Sequence, residues 1–525
     1  MLNHPLYITS DHESLIPSHC NFGKYMLDTL RKYSDEIALI NSKTGQSITY
    51  KELTQYAVDL SHGLYNLGVK RGDVVGLGSE IRNDFIPTML AVLMTGATFI
   101  SLDYRGGQDP TLQKLKLIKP KYFISTELYW DKYGEALKSL DFIETWITLD
   151  DGPDSAIPVS RLMATGVDVQ LFEPAAVDGQ SDVAIAYYTS GTTGTSKIVL
   201  KNHVNLFLMA DKDGLMYDNV KVIYSECEWY HTYDCFFTMT FMLGGKTIVY
   251  HPNATQETIL HDILHYKINC IATIPSTVIL MSQLENVTFD SLQAVHCSCS
   301  HLPNKVIDIF NTKYPNVKLY QAYGMTEGSP LASEKPEPGK YKKGSLGKPV
   351  CNTTIKIIDP VSRQVLGPNQ PGEMWFRGPV LMKGYLNVTA PILDAEGFFN
   401  TGDIGYYDDD HFIFYKNRAK DCIVYDGFEV GVVDLEHMLL SHEDVQEACV
   451  VGKPDPVFGD LPTAFVVSAP GADVTEDELV TYINRQVEHY MYLRGGVKFV
   501  DEIPKNKRGK ILRRKLVELL TKQYE

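Results

Sequence analysis

Four short segments of this 525-residue chain combine residue types that phosphate chemistry requires. The first is Thr189-Ser190-Gly191-Thr192-Thr193-Gly194, followed three residues later by Lys197. Small residues let a backbone approach a ligand closely, and successive N–H groups and hydroxyls can cradle phosphate oxygens. Lys197 adds a cation. A Walker loop would end in Gly-Lys-Ser/Thr, which this segment lacks. The apolar run Ala184 to Tyr187 leads in as a strand, which argues against a plain Gly/Thr linker. The second segment is Tyr323-Gly324-Met325-Thr326-Glu327, just after the strand-like Val317 to Tyr320. A hydroxyl beside a carboxylate at a strand end suits a phosphate and Mg²⁺, because magnesium takes one or two carboxylates plus substrate oxygens. Alone, the pentapeptide reads equally as an ordinary turn. The third is Thr401-Gly402-Asp403 with Asn417-Arg418. A carboxylate accepting two neighbouring hydroxyls, with a guanidinium close by, suits a ribose; Asp403 by itself is a turn residue. The fourth is the basic stretch Pro504 to Arg514. Such a run is usually a solvated tail. Here Gly509 bends the chain before Lys510, and Leu512, Leu516, Leu519 and Leu520 follow at helical spacing. Lys510 can then sit at a loop tip and stabilise charge developing in a transition state.

The elements that must position these segments are legible as well. Strand-length apolar runs (Val74 to Leu77, Thr98 to Leu102, Lys246 to Tyr250, Cys270 to Ile274) alternate with amphipathic segments such as Tyr50 to Leu67 and Glu257 to Tyr266. That alternation predicts an α/β architecture with largely parallel, doubly covered sheets. From about Tyr341 to Tyr415, turns rich in Gly, Pro and Asp separate short alternating runs, which predicts a compact antiparallel subdomain. The last hundred or so residues return to α/β texture. A boundary is expected near Lys416-Asn417-Arg418, and no internal repeat is visible.

Composition sets the class. The chain has 49 Lys+Arg against 65 Asp+Glu, a net charge of −16, with 44% hydrophobic and 22% charged residues. This is a folded globular composition rather than a disordered one. The acidic balance argues against nucleic acid as a partner. Nine cysteines, with only Cys297 and Cys299 close together, read as reduced intracellular thiols rather than a disulfide framework or a zinc site. No basic-then-apolar leader opens the chain and no peroxisomal tripeptide closes it. The most apolar run, Phe85 to Ile100, falls short of the ~20 residues a membrane span needs and reads as a buried helix turning into a strand. A soluble cytoplasmic protein is expected.

In this order and at these separations, the four segments resemble the adenylate-forming enzymes: acyl-CoA synthetases, peptide-synthetase adenylation domains and firefly-type luciferases. The likeness extends from Ile48-Thr49-Tyr50 through Gly372-Glu373, Gly384-Tyr385 and Val450 to Asp455 as far as Lys510. The stretch Tyr492 to Pro504 is similar to the branch of 4-coumarate–CoA ligases and insect luciferases. The resemblance implies a large N-terminal domain, 1–416, of two doubly covered sheets plus a β-rich subdomain at about 341–416. A smaller mobile α+β domain, 417–525, would follow. It implies activation of a small-molecule carboxylic acid by ATP to an acyl-adenylate with release of pyrophosphate, then transfer to coenzyme A. Under it, the loop Thr189, Ser190, Gly191, Thr192, Thr193, Gly194 and Lys197 holds the outer phosphates, with Tyr323 and Gly324 beside the nucleotide. Thr326 meets a phosphate oxygen, Glu327 holds Mg²⁺, and Asp403 and Arg418 bind the ribose. Lys510 bridges the substrate carboxylate and the α-phosphate. Attack of one anion on another needs such cations in a site closed to water.

The same resemblance puts His231 behind the carboxylate, as a donor or gate; the alternative is a satisfied core histidine among Trp229, Tyr230 and Tyr233. It puts Ser298, Cys299 and Ser300 along the adenine and acyl pockets, where relatives carry Gly-Gly/Ala-Pro-Leu, so side chains there would narrow the cavity. Tyr233, Phe237 and Phe241 would wall the acid site. Ser196 and Ile198 replace the usual proline and glycine around Lys197, which predicts a shifted loop. Asn417 replaces a hinge aspartate, and Val424 a lysine of the thioester-forming loop. Three functions follow: an acid–CoA ligase, a luciferase-like enzyme that adenylates a luciferin and oxidises it with oxygen, and a non-catalytic nucleotide-binding relative. A carrier protein as thiol acceptor is a further possibility.

Overall fold

The strand and helix alternation folds as the pattern predicts. The computed structural model describes residues 4–11, 21–150, 152–163, 166–189, 197–209, 220–226, 229–300, 302–335, 339–419, 423–425, 428–506 and 509–521. The loop residues Ser190, Gly191, Thr192, Thr193, Gly194 and Ser196 lie outside these residues, as does His301. Helix starts follow local chemistry. The helix Tyr50–Asn66 opens on a capping box, in which the Thr49 hydroxyl accepts from the Glu52 N–H and the Glu52 carboxylate accepts from the Thr49 N–H. Thr475 and Glu478 repeat the device at Glu476–Asn484.

Among the described residues the strands form four sheets. One has the order Gly384–Tyr385, Ile198–Asn202, Val183–Tyr188, Thr98–Asp103, Val74–Ser79, Tyr122–Ser125, Thr145–Thr148, Ile157–Pro158. From Val183–Tyr188 onward its neighbours are parallel, while the first two strands run antiparallel at the edge. A second sheet centres on the parallel strands Lys318–Met325, Ala294–Cys297, Cys270–Thr273, Val222–Ser225 and Thr247–Tyr250, with Gly328–Ser333 antiparallel at one side. A third, wholly antiparallel, joins Ile8–Thr9, Thr354–Ile358, Gly372–Arg377, Phe399–Tyr407 and Ile413–Arg418. The strands Phe399–Tyr407 and Ile413–Arg418 are joined by a tight turn, because Asp408 accepts from the Asp410 and Phe412 N–H groups and turns the chain. The fourth sheet pairs Val445–Asp455 with Gly459–Ser468, and Val432–Leu440 packs on it.

Two helices have no polar face. Every residue of Phe85–Met94 is buried, and so is all of Thr232–Leu243 except Tyr233. A helix apolar all round belongs inside, and both join a core that also draws on the first three sheets. Phe85–Met94 turns directly into the strand Thr98–Asp103, as expected of that run. No helix among the described residues is long and apolar enough to cross a membrane. Asn417 and Arg418 still pair with Ile404 and Asp403, so the expected domain boundary falls within a strand.

Candidate functional site

The feet of the first segment are clamped together. The Thr189 N–H donates to the Lys197 carbonyl at 2.9 Å, and the Lys197 N–H donates to the Thr189 hydroxyl at 3.2 Å. These contacts extend the antiparallel pairing of the strands Val183–Tyr188 and Ile198–Asn202. Ile198 does not distort that pairing: it pairs with Tyr188 in regular register and is buried against Ile100 and Ala186. The Lys197 ammonium lies 4.7 Å from the centre of the Tyr385 ring. The Tyr385 hydroxyl donates to Glu327 Oε1 at 2.7 Å. Burial and the adjacent carboxylate push the Tyr385 phenol well above its ordinary range, so it remains a donor.

Thr326 and Glu327 form the two-residue turn between Lys318–Met325 and Gly328–Ser333, where Met325 faces Gly328. Gly324 is required there, since a Cβ would fall 2.9 Å from Ser329 Oγ and 3.2 Å from Ser329 Cα on the facing strand. Glu327 is 9% exposed, and Tyr385 engages one of its two oxygens. Behind the turn sits a residue that the sequence reading missed. Lys201 has no exposed surface, and its ammonium donates to the carbonyls of Glu327 at 2.9 Å and Val380 at 3.3 Å. Burial lowers its pKa to about 7, partly countered by the Glu327 charge.

The third segment is in a strand, not a turn. Asp403 lies in Phe399–Tyr407 directly opposite Arg418, whose Nε is 3.6 Å from Asp403 Oδ1. The Tyr323 hydroxyl donates to Asp403 Oδ2 at 2.6 Å. Tyr323 and Glu327, four residues apart, thus reach the Asp403–Arg418 pair and the Lys197–Tyr385 pair respectively.

Lys510 occupies a tight loop. The Asn506 N–H donates to the Lys510 carbonyl at 2.8 Å, the Lys510 N–H to Asn506 Oδ1 at 3.0 Å, and Leu512 N–H to the Pro504 carbonyl at 2.8 Å. Gly509 takes φ +72°, the left-handed conformation that the bend demands. The helix Arg513–Thr521 follows, anchored by a bidentate contact of Arg513 with buried Glu436 at 2.6 and 2.8 Å. The loop meets the large unit: a Cβ on Gly509 would be 3.4 Å from Ser276 Oγ. Ser276 opens the helix Pro275–Gln283, just beyond the strand Cys270–Thr273.

A cleft enclosing ≈860 Å³, part of it open to solvent, lies alongside. Tyr233, Phe236, Phe237, His296, Ser298 and Tyr323 are among its walls. Of the expected walls, Phe241 is set back, fully buried behind Phe237 at a ring separation of 4.6 Å. Cys297 packs into the second sheet's core. Ser298 faces the cleft and donates to the Ala322 carbonyl at 2.9 Å, whereas Cys299 and Ser300 are exposed. Cys299 adopts φ +74°. The structure therefore narrows the cleft at Ser298 but not at Cys299 or Ser300. His231 is half-buried before the helix Thr232–Leu243 and is neither a core residue nor a cleft wall. The histidine in the wall is His296, packed 5.5 Å from Phe237 and 5.4 Å from Tyr320. Burial drops its pKa to about 3, so it is a neutral imidazole. No sequence motif singled it out.

The chain belongs to the AMP-binding enzyme family: that family's model matches residues 27–386, and the model for the AMP-binding enzyme C-terminal domain matches 434–510. It is 33% identical over 519 residues to 4-coumarate–CoA ligase 3 of Arabidopsis thaliana, spanning 95% of this chain and 91% of that protein. It is 31% identical over 516 residues to luciferin 4-monooxygenase of Nipponoluciola cruciata, spanning 94% of each. Its fold matches that of ATP-bound MatB from Rhodopseudomonas palustris with a TM-score of 0.87 at 23% identity, over 97% of this chain and 100% of that one.

Proposed function

We infer that this protein is an acid–CoA ligase. A carboxylate oxygen of an organic acid attacks the α-phosphorus of ATP, the bond to pyrophosphate breaks, and the thiol of coenzyme A then displaces AMP from the acyl-adenylate. The observation that carries this reading is the joining of Lys197, Tyr385 and Glu327 in one chain of contacts and of Tyr323, Asp403 and Arg418 in another, from two ends of a single five-residue segment.

Roles follow from charge and reach. Lys197 neutralises charge on the outer phosphates, which the segment before it also holds, with Thr326 donating to one of their oxygens. Asp403 accepts from the ribose hydroxyls, held in orientation by Tyr323 and Arg418. Lys510 bridges the incoming carboxylate and the α-phosphate, reducing the repulsion between two anions. Glu327 fits a single-carboxylate Mg²⁺ site, since Tyr385 fixes one oxygen and the other is left for a ligand. When bound, the ion offsets charge on the departing pyrophosphate. The division into a large unit, 1–416, and a small one, 417–525, is part of this proposal, with the small unit delivering Lys510. We place the reaction in the cytoplasm, a reading supported by the free thiols among the described cysteines.

Pyrophosphate exchange across a library of fatty and aryl acids, followed by thioester detection with coenzyme A, tests the assignment. Exchange without thioester removes the ligase step. ATP binding without any exchange leaves a non-catalytic nucleotide binder. The likeness to a luciferin monooxygenase supports a second reading that shares the first half-reaction. Light from ATP, Mg²⁺, oxygen and a luciferin would favour it.

A further inference from the structure

The acid cleft does not end in an apolar wall. Ser333, Lys335 and Cys351 line its far end, and the same three residues line a second, small pocket that is partly open to solvent. Among the described residues that pocket is mainly basic: Lys340, Lys348 and His411 join Lys335 around it, with Asp11 the acid in its lining. Asp11 is engaged by Lys340. Lys348 lies 4.8 Å from the Phe412 ring and its charge acts on Asp410, whereas Lys335 has no ion pair among the described residues. Between the two ends the cleft is largely apolar, with Phe236, Phe237, Pro330, Val350 and Val380 among its walls.

The strand Gly328–Ser333 sets the length. It starts beside Glu327 and ends at Ser333, five residue steps or roughly 17 Å at the usual strand rise. An extended chain advances about 1.2 Å per backbone bond, so that span corresponds to roughly fourteen bonds. Taking the activated carboxylate to lie at the Glu327 end, as the function proposed above requires, we propose that the acid carries a second negative charge at its remote end, received by Lys335. An apolar stem closed by an anion, as in a medium-length α,ω-dicarboxylate, matches the apolar walls of the cleft and the lysine at its end. A monocarboxylate of equal length would leave the Lys335 ammonium unanswered.

The test compares dodecanedioic with dodecanoic acid by pyrophosphate release, in the wild type, Lys335→Met and Lys335→Arg. The wild type should prefer the diacid in kcat/KM. Lys335→Met should lower the value for the diacid about tenfold and leave the monoacid unchanged, the effect of losing one charge-assisted contact at a partly exposed site. Lys335→Arg should retain the preference, and high salt should shrink it. Equal use of the two acids by the wild type, use of neither while shorter acids are activated, or an unaltered preference in Lys335→Met each overturns the proposal. So does a rise in KM for coenzyme A with acid choice intact, which would assign the basic pocket to the thiol substrate. Failure of every acid in the exchange library would refute the ligase reading instead, and the two failures are thereby separated.

Discussion

Tyr385 links Lys197 to Glu327, the residues proposed to meet the outer phosphates and the metal, and two substitutions separate its contributions. Tyr385→Phe keeps the ring beneath Lys197 and removes only the hydroxyl that donates to Glu327 at 2.7 Å. A hydrogen bond to a carboxylate at a half-buried position is worth about 1.5 kcal/mol, or roughly tenfold in an equilibrium constant. The loss should fall on the metal, because Glu327 is then free to rotate out of its binding orientation. Initial rates of pyrophosphate exchange against Mg²⁺ concentration, at saturating acid, should show the half-activating concentration rising about tenfold with little change in the plateau. Tyr385→Leu removes the ring as well. A cation over an aromatic face at a half-exposed site contributes roughly 0.5–1 kcal/mol, so KM for ATP should rise a further two- to fivefold in that variant alone. The urea midpoint of each variant controls for misfolding. If Tyr385→Phe matches the wild type in its metal requirement, or if the two variants are kinetically identical, the chain of contacts has no functional meaning.

Lys510→Ala should lower the exchange rate by roughly 10²–10³, with the urea midpoint unchanged because the loop is held by backbone contacts and Asn506; an unaltered rate removes its assigned role. Tyr323→Phe leaves one Asp403 oxygen without its donor in a buried setting, so unfolding free energy should drop by about 1–2 kcal/mol and KM for ATP should rise several-fold. Lys201 predicts a pH signature. Its folded pKa of about 7 lies below the ordinary 10.5, so between those values the unfolded chain binds more protons and stability climbs with pH. The cost of the buried charge is fully present below pH 7 and disappears as pH rises towards 10.5. Lys201→Met should flatten that slope in urea titrations at pH 7 and 9, and an identical slope would refute the assignment.

What was legible in the chain was local. The strand before Thr189 and the bend at Gly509 each follow from a few adjacent residues, and both are in place. The helix-to-strand reading of Phe85 to Ile100 held because an all-apolar helix has only the interior to occupy. What depended on contacts between distant segments was not legible. Phe241 and Phe237 are one helical turn apart on a helix buried on all sides, so periodicity could not say which faces a cavity. Cys299 and Ser298 are neighbours, yet only one points inward, because the chain reverses at Cys299. Lys201 left a signal that went unused: a lysine at the fourth position of an apolar strand demands either an edge or a buried partner.

Lys197 and Tyr385 come from the first sheet, Tyr323 and Glu327 from the second, Asp403 and Arg418 from the third, and Lys510 from a loop beside the fourth. A site assembled this way has no rigidity of its own; it is only as well positioned as the sheets are fixed to one another. Lys201 addresses that problem directly. From a strand of the first sheet, it donates to the carbonyl of Glu327 in the second and to that of Val380, just past the third sheet's strand Gly372–Arg377. An ammonium buried this deeply is destabilising unless carbonyls take the place of water, and only one relative placement of the three segments supplies both acceptors. The buried charge therefore sacrifices stability for alignment. Its location directly behind Glu327, rather than elsewhere in an extensive apolar core, is what ties it to the proposed function: the backbone of the residue proposed to hold the metal is fixed from behind by a lysine with no exposed surface.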